Sequence, residues 1–236
     1  MNAAEKVVAA LAATLTAASG AVDALTYWQL GVFSSAMTGN IALFGIFVVR
    51  PNGTLLLHVL TAFAGYAVGV VIAGRFTGGV QRSPASWPVQ ATLAFAVELI
   101  FLLVLLVVGQ AIDQPPRGGA QYALLVPAAV AMGMQSAAFR ALKVAGVLGS
   151  TYLTGNLVVW LIAVSHRRHD WPGLASLVAL VLGALIESVF IFHAPRLATI
   201  FPALLVGAAV AVAASPTFRR RIGPVSASQD ELATPP

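Results

Sequence analysis

The chain contains no cysteine among its 236 residues, and charged residues make up only 9% of it. The first absence excludes disulfide bonds and thiol chemistry. The second excludes an ordinary soluble domain, in which about one quarter of the residues are charged. Hydrophobic residues take their place, with a share of 59% and a mean hydropathy of +0.90. The sequence therefore predicts an integral membrane protein.

Several motifs of known chemistry are also missing. The chain has no GxxxxGK[ST] phosphate loop, no HExxH or GxSxG motif and no cysteine cluster. This disfavours ATP-driven pumping by this chain alone and enzymatic activity, and we expect no metal and no cofactor. The net charge of +5 does not indicate nucleic acid. The basic residues lie in short connections and at the C-terminus, where they orient the chain and contact lipid headgroups.

The apolar residues form blocks of roughly twenty, the length that an α-helix needs to cross a bilayer. Strands of β-barrels alternate in hydropathy instead, so we predict an all-α, polytopic transmembrane bundle. If all eight blocks cross and the N-terminus is cytoplasmic, eight lysines and arginines lie on the cytoplasmic side and five on the other, which favours two cytoplasmic termini. Residues 216–236 are predicted to form a disordered tail. The predicted segments are 7–29, 33–49, 55–74, 89–109, 121–139, 144–165, 173–193 and 197–214.

One triplet occurs twice, as Thr38-Gly39-Asn40 and, 116 positions later, as Thr154-Gly155-Asn156. The similarity extends over GAVDALTYWQLGVFSSAMTGN (20–40) and GMQSAAFRALKVAGVLGSTYLTGN (133–156), each with a polar residue, Asp23 or Ser136, three positions after its first Gly. We therefore predict two repeated halves, 1–110 and 111–215, with a binding region at their interface. Four crossings in each half would make the repeats parallel, and one re-entrant block in each would make them inverted.

These stretches also carry a resemblance to a known family. AVDALTYWQLGVFSSAMTGN and AMGMQSAAFRALK…TYLTGNL resemble the YoaK family of bacterial membrane proteins, a group of unknown function, over about residues 8 to 214. Ser136 departs from the family pattern, which usually has Asn after the Gln. The resemblance implies a multi-pass protein of the bacterial inner membrane, and it implies no substrate.

Polar groups inside apolar segments are costly and mark candidate functional residues. In each triplet, Gly lets the helix unwind while Thr and Asn pair with freed backbone groups or with a ligand; alternatively, the triplet caps a helix or joins two helices. Asp23 either binds a solute or caps the following turn. Glu98 is the only ionisable residue of its segment, and Glu187 shares its segment only with His193 at the end. Each of the two glutamates either carries a coupling proton or bonds to another helix. Gln135 is a candidate by its cost in lipid and by the family motif.

The favoured hypothesis is a secondary transporter or permease for a small solute of unknown identity. Its alternatives are a membrane scaffold or assembly protein and, less favoured, an intramembrane enzyme. The lipid bilayer is the expected surrounding, and a homo-oligomer is compatible with the sequence. Glu98 and Glu187 are the predicted proton-coupling residues. The predicted substrate-binding residues are Asp23, Thr38, Gly39, Asn40, Gln135, Thr154, Gly155 and Asn156.

Overall fold

The computed structural model describes residues 3–78, 87–113, 115–142, 153–167 and 171–218. These residues are helical without any strand among them, which confirms the predicted all-α class. The tail from 219 onward and the first part of the sixth predicted segment, 144–152, lie outside the described residues. The helices are α1 (Ala3–Leu30), α2 (Met37–Val49), α3 (Gly53–Thr77), α4 (Val89–Ala111), α5 (Gly119–Ala141), α6 (Leu153–Ser165), α7 (Trp171–His193), α8 (Pro195–Ala198) and α9 (Ile200–Ala214).

Not all of the eight apolar segments form helices of membrane-spanning length; the exceptions are the second and the sixth, which contain the triplets. Within the described residues, six stretches of 20 to 25 residues are long and apolar enough to cross: α1, α3, α4, α5, α7 and the continuous stretch of α8 and α9. Helices α2 and α6 have only 13 residues each. At 1.5 Å per residue they are about 20 Å long, which is too short for a hydrocarbon core of about 30 Å. The chain is therefore a multi-pass membrane protein with two short apolar helices.

Helix α2 starts later than its apolar segment because the chain first makes a loop. Gly31 ends α1 with φ +73°, a left-handed conformation that favours glycine. The loop, residues 31–36, then runs back along α1, where the Ser19 hydroxyl donates to the Ser35 hydroxyl oxygen at 2.9 Å. Ser19 lies eleven residues before Leu30, or about 16 Å down the helix. Helix α2 therefore begins deep beside α1, in re-entrant geometry, and packs against α3.

Two helix pairs form the most extensive contacts of the bundle, α3 with α5 and α1 with α7. Both pairs cross at glycines, where a methyl group would overlap the backbone of the other helix. Such small residues allow close backbone packing between helices in membranes. The contacts join Gly20 to Leu180, Gly183 to Ala17, Gly133 to Tyr66 and Gly69 to Val130.

Ring contacts give the directions of these two pairs. Trp28 and Phe192, with ring centroids 4.5 Å apart, lie near the C-terminal ends of α1 and α7, so these helices are parallel. His58 and Tyr122, 5.2 Å apart, lie near the N-terminal ends of α3 and α5, so these helices are parallel as well.

Helix α4 runs antiparallel to its two main neighbours. Phe95 contacts Phe139 near the C-terminal end of α5, with ring centroids 5.7 Å apart. Near its own C-terminal end, Gly109 touches Thr199, at the start of α9. His58, near the start of α3, bonds to the Leu30 carbonyl at the end of α1, so α1 is antiparallel to α3 and the six long stretches alternate in direction along the chain.

The C-terminal end of the described chain is packed. Phe218 is buried, and its ring meets the Trp87 ring edge-on at 5.7 Å. Residues 216–218, which were predicted to belong to the disordered tail, are therefore part of the packed protein.

Candidate functional site

The first polar cluster joins α1 to the re-entrant loop. Oδ1 of Asp23 accepts hydrogen bonds from the Ser34 and Ser35 amides, at 2.9 and 2.7 Å, and from the Ser34 hydroxyl at 3.0 Å. Oδ2 accepts from the Ser35 hydroxyl at 2.6 Å. Irregular backbone at membrane depth is tolerated only where its polar groups have partners. Asp23 supplies these partners and so holds the loop in place.

The first triplet completes this loop from its other end. The Asn40 amide is fully buried: its Oδ1 accepts from the Phe33 amide at 3.0 Å, and its Nδ2 donates to the Phe33 carbonyl at 2.7 Å. A methyl group at Gly39 would come within 3.1 Å of the Phe33 ring, which also stacks on Tyr27. The Asn40 amide therefore pairs with the backbone of the preceding loop. It does not cap a helix, because α2 begins before the triplet, at Met37, and the N-cap residue Ala36 makes no side-chain hydrogen bond.

The two triplets occupy matching places in their helices. Each lies in the first turns of a 13-residue helix, α2 or α6. In both copies the Thr is exposed, the Gly is half-buried and the Asn is buried, Asn156 at 2% exposure. The two triplets are therefore alike in the burial of their residues as well as in sequence.

The second polar cluster lies where α1, α4 and α5 meet. The Gln135 amide group donates to Oε1 of Glu98 at 3.0 Å and to the Leu15 carbonyl at 3.1 Å. Glu98 and Gln135 are both 0% exposed, and Oε2 of Glu98 has no hydrogen-bond partner. The structure thus brings together two of the predicted site residues.

Asp23 does not join this second cluster. It lies eight residues after Leu15 on α1, a rise of about 12 Å, and the loop occupies both of its carboxylate oxygens. Asp23 and the Glu98–Gln135 pair therefore lie in two separate polar regions along α1.

Glu187, on α7, is a buried carboxyl group outside both polar clusters. Its side chain is 0% exposed, and neither carboxyl oxygen has a hydrogen-bond partner. It lies one turn after Gly183, whose close contact with Ala17 marks the crossing of α7 and α1. The neighbouring Ser188 hydroxyl donates to the Ala184 carbonyl of its own helix instead. A carboxyl group placed in this way needs a proton or a bound cation for neutrality.

Sequence reasoning missed the partners of these residues. Ser34 and Ser35 lie four and three positions before the first triplet, and this polar pair was the available signal for a hydrogen-bonded loop. The Leu15 carbonyl carries no signal in the sequence. His58, a lone histidine early in its apolar segment, is a hydrogen-bonded packing residue rather than a ligand: Nδ1 of this buried ring donates to the Leu30 carbonyl at 2.9 Å, which fixes the start of α3 against the end of α1.

Two cavities adjoin each other at the end of the bundle where α4 ends and α5 begins. Their volumes are about 650 and 530 Å³. Gln110, Asp113, Arg117 and Arg196 are their polar lining residues, and none of the predicted site residues lines them. In the part of the chain that the structure describes, no group of three metal-binding side chains occurs.

Comparison with known proteins identifies a family and a relative that match most of the chain. A family model described as "Protein of unknown function (DUF1275)" matches residues 11–213. The UPF0700 transmembrane protein YoaK of Bacillus subtilis (strain 168) is 33% identical over 158 residues, which cover 66% of this chain and 67% of the relative. No solved structure matches the chain. The resemblance predicted from the two triplet regions is thereby confirmed.

Proposed function

The chain belongs to the DUF1275 family of proteins of unknown function, and we propose that it is a secondary transporter or permease for a small solute. In this proposal the solute passes between two related halves, residues 1–110 and 111–215, which move against each other. Binding sites at such interfaces are typical of transporters built from internal repeats.

The observation that carries the proposal is the equal spacing of the two glycine crossings. Gly133 and Val130 follow Gly20 and Ala17 by 113 positions each, while Leu180 and Gly183 follow Tyr66 and Gly69 by 114 each. This equal spacing is what two copies of one contact pair would give. The first helix of each half packs on the third helix of the other half, α1 on α7 and α5 on α3, so the halves interlock.

The helix directions favour an inverted repeat. In each half three stretches cross, while the short helix α2 or α6 starts at a triplet without crossing. An odd number of crossings reverses the second half relative to the first, and α1 is accordingly antiparallel to α5. Inverted repeats with interrupted helices are a common plan of secondary transporters.

The charge distribution supports the same topology. With six crossings, only three of the 13 lysines and arginines fall on the side opposite the N-terminus: Arg50, Arg117 and Arg196. The remaining ten fall on the side of both termini. This bias is stronger than the eight-to-five division of an eight-span arrangement, and it favours two cytoplasmic termini.

The cluster of Glu98, Gln135 and Leu15 is the proposed coupling point. Leu15 and Glu98 belong to the first half and Gln135 to the second, so the hydrogen bonds cross the interface between the halves. Oε2 of Glu98 is free to hold a proton. Movement of the halves changes these bonds and with them the ability of Glu98 to release that proton.

A second candidate function is that of a non-transporting scaffold. It is favoured by the hydrogen bonds of Asp23 and Asn40, which are made to the loop of residues 33–35. If both triplets have only this role, they shape the helices and bind no solute.

Accessibility of one engineered cysteine separates the two functions. The natural chain has no cysteine, so Ser136→Cys, beside Gln135 on α5 and 7% exposed, provides a single thiol. A transporter that opens in turn to each side exposes this thiol to a membrane-impermeant maleimide from both sides of oriented proteoliposomes. Labelling from neither side, with intact folding and with labelling of an Arg117→Cys control in the exposed connection before α5, would overturn the transporter proposal in favour of the scaffold.

A further inference from the structure

Within the described residues, the interior of the bundle holds carboxyl groups but no lysine or arginine. Glu98 and Glu187 are 0% exposed, and three of their four carboxyl oxygens have no hydrogen-bond partner. By contrast, all lysine and arginine side chains whose surroundings the structure describes are exposed. These are Lys6, Arg50, Arg75, Arg117, Arg140, Arg167 and Arg196.

His58 does not change this imbalance. It is a buried ring, but it lies at the end of the bundle, beside Leu30 and Tyr122. Asp23 is the third acidic group of the spans, and the loop already satisfies both of its oxygens. Glu98 and Glu187 are therefore the two carboxyl groups that retain unoccupied oxygens.

The two carboxyl groups lie at different depths along α1. Glu98 is connected through Gln135 to the Leu15 carbonyl. Glu187 lies on α7 between Gly183, which packs on Ala17, and Phe192, which packs on Trp28. Since α1 and α7 are parallel, Glu187 lies beside the part of α1 between those two contacts, roughly 10 Å beyond Leu15 at 1.5 Å per residue.

From this arrangement we infer that the solute is a small monovalent cation, which Glu98 and Glu187 neutralise in turn as it passes. The inference rests on the proposed transport function and names the class of its solute. An unpaired carboxylate in a low-dielectric interior is strongly unfavourable, and a cation removes that cost. An anion would meet two like charges without a compensating base, which adds a large repulsion at low dielectric. Carboxyl oxygens bind both alkali ions and protonated amines, so the experiment includes both kinds of cation and distinguishes between them.

The test measures charge movement in proteoliposomes adsorbed on a solid-supported membrane. The probes are the chloride salts of sodium, potassium, methylammonium and tetramethylammonium, with the N-methylglucamine salts of acetate and phosphate as anionic probes. Glu98→Gln and Glu187→Gln are compared with Asp113→Asn, which changes an exposed carboxyl group outside the proposed path. Melting temperatures of all variants establish that each is folded.

We expect a transient current with at least one cation, and the identity of the active cations tells alkali ions from amines. The current should fall by about tenfold or more in both glutamate variants, because one side of a buried charge interaction is lost, and should persist in Asp113→Asn. Currents with anions alone would overturn the inference. The inference would also be overturned if a pH step alone produced a current and none of the four cations reduced it, because both carboxyl groups would then transfer protons.

The failure of this inference differs from the failure of transport itself. If Ser136→Cys is labelled from both sides while none of the four cations gives a current, the cation inference is wrong and the transporter proposal stands. If Ser136→Cys is labelled from neither side and none of the probes gives a current, both are wrong.

Discussion

The carboxylate of Asp23 accepts hydrogen bonds from the amide and the hydroxyl group of Ser35, at 2.7 and 2.6 Å. The two residues are twelve positions apart, and one belongs to a membrane-spanning helix while the other belongs to the loop after it. Their contact is possible only because the chain turns back along α1. It therefore fixes the depth at which α2 begins.

Replacement of Asp23 should loosen this loop. In Asp23→Asn the side chain keeps one acceptor oxygen and loses the other, so Ser34 or Ser35 loses a charge-assisted partner. We expect a loss of about 2 kcal/mol in the free energy of unfolding, measured in mixed micelles. Asp113→Asn, at an exposed carboxyl group, should leave this energy unchanged. Equal stability of the two variants would show that the loop does not depend on Asp23.

The glycine crossings allow a comparison within one helix. Gly69→Ala forces a methyl group onto the backbone of α5, whereas Gly74→Ala, one and a half turns later on α3, meets no atom within 4 Å. The first change should cost about 2 kcal/mol or more of stability, and the second should be neutral or slightly stabilising. Thermal unfolding in detergent measures both.

The same experiment tests whether the two crossings are copies. Ala substitutions at Gly20, Gly133 and Gly183 should destabilise the protein as strongly as Gly69→Ala, because each glycine faces backbone of the opposite helix. If alanine substitutions destabilise the protein only at the α3–α5 crossing, the two crossings are not packed equivalently, despite the equal spacing of their glycines in the sequence.

The sequence was sufficient to predict a helical membrane protein, because long apolar blocks are visible without knowledge of tertiary contacts. It was not sufficient for the number of crossings. Residues 33–36 read as part of an apolar segment, yet they form a loop because Asp23 and Asn40 satisfy their backbone. Hydropathy averages over a window and does not register hydrogen bonds between residues seven to twelve positions apart.

The candidate site, too, was predictable in its residues but not in their contacts. Glu98 and Gln135 each stood out as a polar residue in an apolar segment, so both were predicted individually. Their hydrogen bond spans 37 positions and requires α4 and α5 to pack antiparallel. That register is a property of the packed bundle, as is the use of the Leu15 carbonyl by Gln135.

The role of Asn40 can be separated from that of Thr38. Asn40→Leu removes the partner of both the amide and the carbonyl of Phe33, which then lie unpaired in an apolar surrounding. We expect a loss of about 3 kcal/mol in the free energy of unfolding, while Thr38→Val, at an exposed side chain, changes little. A stable Asn40→Leu variant that has lost solute flux would instead support the predicted role of Asn40 in binding.

Glu98→Gln tests proton coupling without removing the hydrogen bond to Gln135. The new amide oxygen still accepts from the Gln135 amide, so the variant should fold. It has no titratable group, and the pH dependence of solute flux into proteoliposomes should be lost if Glu98 carries the coupling proton. Asp113→Asn serves as the matched change of a carboxyl group. An unchanged pH profile in Glu98→Gln would remove Glu98 from the coupling step.

Single cysteines at the ends of the helices distinguish six crossings from eight. Because the natural chain has no cysteine, each variant carries one thiol for a membrane-impermeant reagent added to intact cells. With six crossings, Arg50→Cys and Arg117→Cys react from outside, whereas Arg75→Cys reacts only after the membrane is opened. With eight crossings every one of these sides is reversed, since a crossing α2 moves the connections between α2 and α6 to the other side of the bilayer. A crossing α6 then restores the side of the connections that follow it. Arg196→Cys lies outside in both arrangements and shows that the reagent reaches the protein. Labelling of Arg75→Cys in intact cells would therefore require α2 to cross, and the inverted relationship between the two halves would fall with it.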